Sequence, residues 1–386
     1  MTLLKSAGMD FVASHSEGYC VWDLDGREFL DLDLRAGVYN LGHRNPRVTE
    51  ALQGALRSSD MGFALFPGEH QTALAEKLAA SSGLDNVLFA PSGTEANDLA
   101  IQVARRHTGN RRILSCASGY HGAAGLASAA GNPEFSQNFN SDYPDEFATF
   151  PAGDLDSLRD ELRRGDVAAV LIEPACNAAG YPAVPEGFWT EVKSTCAEHG
   201  ALLIMDEIVT GLGRSGHVWG FQKVGVTPDI AVTAKGLSGG IYPIAAVLMS
   251  AESAQWLHQD FAGYAGTFAG GELACVVGSA AFDLSTSRET LENVHAVAEH
   301  FADGLEAIRS RNSVLKDIRQ FGILFGLEFD VDGAGFAMVQ ALFRNGVLAF
   351  PAAHANRVVN LKPGLLVDEA FCSDALQRVE DAVKTL

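Results

Sequence analysis

The sequence predicts an α/β fold: a large domain built on a mainly parallel, seven-stranded sheet, with a smaller α+β unit beside it. Three observations predict this. Seven short apolar runs, at 87–89, 112–116, 147–150, 167–172, 201–205, 230–233 and 244–249, are mostly separated by helix-length segments. That alternation is the signature of crossover connections, with helices on both faces of a parallel sheet. Beyond residue 285 the rhythm changes to runs at 323–329, 347–350 and 357–361 with helical stretches at 336–344 and 369–384. A chain of 386 residues is long enough to hold both parts.

Taken in order, the elements read as follows. The segments 19–23 and 27–32 flank Leu24-Asp25-Gly26, a β-hairpin with an Asp-Gly turn. A loop, Arg35-Ala36-Gly37-Val38-Tyr39-Asn40-Leu41-Gly42-His43, leads to a helix through about residue 57. A helix follows Gly93, because Ala96, Leu99, Ala100 and Val103 recur at i, i+3, i+4 and i+7. A longer amphipathic helix carries Leu291, Val294, Ala298, Phe301, Leu305 and Ile308. The expected organisation is an N-terminal segment 1–45, a large domain 46–285 and a small domain 286–386.

Composition is that of a globular protein, 47% hydrophobic and 20% charged. The net charge of -20 argues against nucleic acid and anionic membrane surfaces, since both need a basic face. No apolar run is long enough to span a bilayer, and no basic-then-apolar leader opens the chain. Six scattered cysteines, with no CxxC pair, fit reduced thiols rather than a disulfide frame or a zinc site. The eleven histidines form no HxxxH or HxH pair, so no metal is expected. The expected location is cytoplasmic.

Five stretches carry chemistry. Lys235 lies where the 230–233 run gives way to Gly236-Leu237-Ser238-Gly239-Gly240. A desolvated lysine has a lowered pKa and forms Schiff bases with carbonyls, whereas a surface loop lysine does neither. Pro91-Ser92-Gly93-Thr94-Glu95-Ala96-Asn97 follows a strand and opens a helix, so it suits a phosphate or simple N-capping. Tyr120 and His121, in Gly119-Tyr120-His121-Gly122, sit at a strand's end, where an aromatic covers a flat ring or joins the core. Asp206 closes a buried apolar strand, which demands a partner. A carboxylate there holds a pyridinium nitrogen protonated, or caps the next turn. Gly266-Thr267-Phe268-Ala269-Gly270-Gly271 is a second phosphate contact or a tight loop. Together they supply the needs of pyridoxal 5′-phosphate (PLP).

With Trp22-Asp23-Leu24-Asp25-Gly26, Leu41-Gly42-His43, Glu173-Pro174, Asp206-Glu207 and Pro228-Asp229 in the same order, the chain resembles the class III aminotransferases of PLP fold type I. That family also includes glutamate-1-semialdehyde aminomutase. The resemblance implies that the N-terminal segment joins the small domain. It implies that Lys235 forms the Schiff base and moves the proton, and that Asp206 binds the ring nitrogen. Tyr120 and Ile208 would cover the two ring faces, Ser92, Gly93 and Thr94 would hold the phosphate, and His121 and Glu173 would complete the cofactor site. Thr267 would reach the cofactor of the other subunit in a homodimer.

Three positions depart from the common ω-aminotransferase pattern. Val209 stands at a glutamine position, Ala178 at a glutamate position and Asn360 at the position of a carboxylate-binding arginine. Loss of both charges together is physically coherent, because either one alone in a closed site is expensive. It weakens an expectation of ordinary glutamate or 2-oxoglutarate dependence. Arg35 or Tyr39 is expected to line the substrate pocket instead, the alternative for Arg35 being a surface or interface ion pair. Arg357 is a weaker candidate. The expected reaction is transamination between an amine or amino acid and a carbonyl acceptor. The alternative is isomerisation of one substrate, as a 1,2-aminomutase or an epimerase.

Overall fold

A computed structural model describes residues 8–62, 66–138, 140, 143–258, 260 and 263–386. Residues 1–7 of the expected N-terminal segment lie outside the described residues. The seven-stranded sheet is present, in the order β4-β10-β9-β8-β7-β5-β6. Its strands are β4 (Asn86–Ala90), β5 (Arg112–Cys116), β6 (Phe147–Phe150), β7 (Val167–Ile172), β8 (Leu202–Asp206), β9 (Ile230–Thr233) and β10 (Ala245–Met249). Neighbours from β9 through β6 are parallel. β10 runs antiparallel to both β4 and β9. The carboxyl ends of the other six strands therefore share one edge, where ligands bind in open α/β sheets.

β7, β9 and β10 are buried along their whole length, because helices cover both faces. The helix Gly93–Thr108 lies on one side with Ala96, Leu99, Ala100 and Val103 inward. Ser92 caps its start by accepting from the Glu95 amide, and Gly109, in the left-handed region, ends it.

Two further sheets complete the chain. β1 (Ala13–Glu17), β2 (Cys20–Asp23) and β3 (Glu28–Asp31) form an antiparallel set, to which β13 (Val347–Leu348) adds in parallel through Leu30 and Asp31. β11 (Leu315–Phe321), β12 (Leu324–Phe329), β15 (Ala355–Leu361) and β14 (Phe350–Ala352) form the other. Phe29, Leu30 and Leu32 share one buried cluster with Phe301, Phe325 and Leu361, so the first strands pack with the last ones. The helices Glu272–Ser285 and Arg288–Arg311 meet at residues 286 and 287.

The sequence reading missed β1 and β11. β1 is largely exposed, and β11 is mixed, with one buried residue among seven, so neither carries a strong apolar signal. The run at 347–350 is two strands in different sheets, β13 and β14, not one. A strand that changes sheets keeps its apolar run, and the run alone cannot show the break.

Gly131 shows how tightly one site loop is set. Its φ is +92°, and a Cβ would lie 2.3 Å from the Gly119 carbonyl oxygen. The Asn132 amide donates to that same oxygen at 2.9 Å, which fixes the loop bearing Tyr120 and His121. Gly83, also left-handed at +72°, has nothing within 4 Å of its virtual Cβ. Gly131→Ala should therefore lower unfolding free energy by about 3 kcal/mol, and Gly83→Ala by only about 1 kcal/mol. Urea unfolding of the two variants checks the contrast.

Candidate active site

A cavity of about 570 Å³ opens at the carboxyl edge of the sheet, a size suited to a small molecule. It gathers eleven of the twelve residues singled out from the sequence: Arg35, Tyr39, Ser92, Gly93, Thr94, Tyr120, His121, Glu173, Asp206, Ile208 and Lys235. Thr267 is not among them. It is exposed, in a turn beside the largely exposed Phe268.

The strand ends explain the gathering. β4 leads to Ser92, β5 to Tyr120 and His121, β7 to Glu173, β8 ends on Asp206, and β9 leads to Lys235. Asp206 is buried and fully engaged. Its Oδ2 accepts from Asn97 Nδ2 at 2.8 Å and lies 2.8 Å from His121 Nδ1. Its Oδ1 accepts from the Ile208 amide at 3.0 Å. Asn97 also donates to the His121 carbonyl at 2.8 Å. Asn97 belongs to a quoted motif, yet the sequence reading gave it no role. The available signal was an amide on the apolar face of an amphipathic helix, between Ala96 and Ala100.

Burial by itself lowers the His121 pKa, but the Asp206 carboxylate overrides it and the net shift is upward. Burial holds the Lys235 ammonium below its ordinary value, with Asp206 and Glu173 acting against it. Lys235 stands at φ +38°, two residues past the end of β9, strain of the kind found where a side chain must point at a site. Burial raises Glu173 to about 7, and its oxygens accept from the Tyr120 and Asn177 amides. Tyr120 keeps 40% of its surface and packs edge-on against Phe135, 5.0 Å between centroids. Its outer face is thus free to cover a ring.

These residues fit PLP. Gly93 begins a 16-residue helix, where free amide groups favour a phosphate. A Cβ on Gly93 would lie 2.8 Å from Ile208 Cδ1 and 3.2 Å from Ala234 Cβ, so the helix start packs closely against both side chains. Asp206 offers a carboxylate to a pyridinium nitrogen, and Lys235 an amine with a lowered pKa to an aldehyde.

The departures are also visible. Asn360 Nδ2 donates to the Asn177 carbonyl at 2.8 Å, where the family pattern has an arginine. Val209 and Asn177 line the cavity. Arg357 is held by Asp332 at 2.6 Å, on the surface. Arg35 has no ion-pair partner among the described residues, so the alternative of a surface ion pair within the chain is absent there. Among those residues, no cluster of His, Cys, Asp and Glu could hold a metal, and no helix is long and apolar enough to cross a membrane.

Fold and site together are those of a PLP-dependent enzyme of fold type I. The family model for class-III aminotransferases matches residues 4–383, and the chain belongs to that family. It is a PLP-dependent aminotransferase. An uncharacterized aminotransferase of Archaeoglobus fulgidus is 37% identical over 94% of this chain and 85% of that protein. The acetylornithine aminotransferase of Caldanaerobacter subterraneus is 32% identical over 96% and 94%. Among solved structures, ornithine aminotransferase from Toxoplasma gondii superposes with a TM-score of 0.90 at 27% identity, covering 97% of this chain and 90% of that one. N-acetylornithine aminotransferase from Stenotrophomonas maltophilia gives 0.85 at 27%, covering 100% and 98%.

The His121–Asp206 pair gives a pH signature in the cofactor-free protein. A histidine whose folded pKa lies above its unfolded 6.5 contributes stability that is full below pH 6.5. That stability is lost as pH rises through the folded value. The stability advantage of the wild type over His121→Gln should thus narrow as pH rises from 6.5 into the alkaline range. Chemical denaturation at several pH values checks the sign.

Proposed function

We propose that this aminotransferase works through Lys235 and Asp206, moving an amino group between an amine or amino acid donor and a carbonyl acceptor. The observation that carries the reading is the meeting of a desolvated lysine, a fully engaged buried carboxylate and a helix start in one cavity. PLP, when bound, supplies an aldehyde and an electron-withdrawing ring beside the substrate's α-carbon. The chain's residues do the rest. Gly93 and Thr94 amides and the Ser92 and Thr94 hydroxyls hold the phosphate. Asp206, held in place by Asn97, His121 and the Ile208 amide, would keep a proton on the ring nitrogen. Tyr120 and Ile208 hold the ring between them. Lys235, once its amine is free, takes the proton from the α-carbon of the donor and delivers it back at a neighbouring carbon.

The same reading includes a homodimer in the cytoplasm, with Thr267 of each protomer at the phosphate of the other's cofactor. Its support is the exposure of Thr267 outside its own cavity, the apolar Phe268 and Phe66 at 62% and 72% exposure, and six cysteines left as free thiols. Sedimentation should give a mass near twice the 40.9 kDa of the chain. A monomer with full activity would remove the role given to Thr267.

Mixing the holoenzyme with one donor at a time tests the reaction class. A single donor should abolish the visible absorbance of bound PLP with nothing else present, and an oxo acid should restore it. Product formed from one substrate, with no acceptor and no lasting loss of absorbance, would instead establish an isomerase. Asp206→Asn should weaken PLP binding about 10–100-fold, the effect of about 1.5–3 kcal/mol for a hydrogen bond to a charged group. Fluorescence titration of cofactor-free protein with PLP measures it.

A further inference from the structure

The substrate half of the cavity contains a guanidinium on a strained support. Leu34, Arg35 and Ala36 all have φ between +51° and +54°, three consecutive non-glycine residues in the left-handed region. Such backbone persists only where its surroundings enforce it, and it gathers at functional sites.

The surroundings here are explicit. Asp31 Oδ1 accepts from the Leu34 amide at 2.7 Å and the Asp33 amide at 3.1 Å, while its Oδ2 lies 2.8 Å from His43 Nε2. Asp33 Oδ2 accepts from the Ala36 amide at 3.0 Å. Asp33 Oδ1 pairs with Lys362 Nζ at 2.7 Å. Lys362 is buried, and its own amide donates to the Leu32 carbonyl at 2.7 Å. Lys362 thus comes from the end of β15, two residues past Asn360, yet its charge is committed to the loop rather than to the cavity.

What remains for a substrate anion is one group. Lys235 and Arg35 are the lysine and arginine lining the cavity, and Lys235 is committed to the cofactor. Among the described residues Arg35 pairs with no carboxylate. Arg35 is exposed and lines the same cavity as Asn177 and Tyr120, with Val38, Tyr39 and Ile241 also in its wall.

Resting on the aminotransferase reading above, we propose that Arg35 binds the carboxylate of the substrate, and that Asp33 and Lys362 are positioning residues that hold its loop. Carboxylate recognition is carried by the segment after β3, in place of the end of β15. A guanidinium suits this task because its planar fork takes both carboxylate oxygens. The preferred donor is then an amino acid, and the amine lacking only its carboxylate is a poor substitute.

The test uses holoenzyme and matched probes: L-alanine with ethylamine, 4-aminobutyrate with propylamine, and 5-aminopentanoate with butylamine. Loss of cofactor absorbance gives an apparent dissociation constant for each. The wild type should prefer the carboxylate member of at least one pair. In Arg35→Ala that preference should shrink about 10–100-fold, and Arg35→Lys should restore part of it. The double variant Asp33→Asn with Lys362→Met removes the buried pair without stranding a charge. It should lose preference in the same direction while the spectrum of bound PLP stays that of the wild type. A wild type that prefers the plain amines, or an Arg35→Ala that keeps its preference, overturns the role of Arg35. A double variant with full preference overturns the positioning role. Failure of every probe to change the absorbance would count against the aminotransferase reading itself.

Discussion

The buried Asp206 carboxylate is the constraint from which the site follows. An ionised carboxylate at the end of an apolar strand is tolerated only if its lone pairs are met. Here they are met by Asn97 from a helix, His121 from the loop after β5, and the amide of Ile208 just past β8. Three separate parts of the sheet edge are drawn to one point, and the cavity lies where they converge. Hydrogen bonds to a charged group stabilise by about 1.5–3 kcal/mol each. The network therefore orders the loops around it, and in the proposed role it would also hold the cofactor's ring.

The two halves of the cavity are built differently. The cofactor half stands on strand ends and a helix start, which are rigid and set by the parallel sheet. The substrate half is reached from the N-terminal segment, through a left-handed turn fixed by Asp31, Asp33, His43 and Lys362. That segment is tied to the last strands by the pairing of β3 with β13. Residues more than three hundred positions apart in sequence therefore share control of one guanidinium.

Much of this was legible in the sequence, and the reasons are particular. β7 and β9 are continuous apolar runs because both faces are covered, so periodicity and length were enough. Asp206 was conspicuous as an acid closing such a run. Lys235 was not conspicuous alone; it gained meaning from the phosphate loop, Tyr120 and Asp206, which matched a family in order. β1 and β11 stayed hidden because β1 is exposed and β11 is only partly buried. Asn97 was quoted without a role, since an amide in a helix announces its partner only once the fold places Asp206 beside it. The Asp33–Lys362 pair could not be read at all. Nothing local in either residue indicates a partner so distant.

Every role proposed for the cavity depends on Lys235 being the residue joined to the cofactor. Reducing the holoenzyme with borohydride, digesting it and locating the PLP label by peptide mass spectrometry tests it directly. The label should fall on the peptide containing Lys235 and be lost in Lys235→Ala. A label on another lysine, with Lys235 unmodified, would contradict that role.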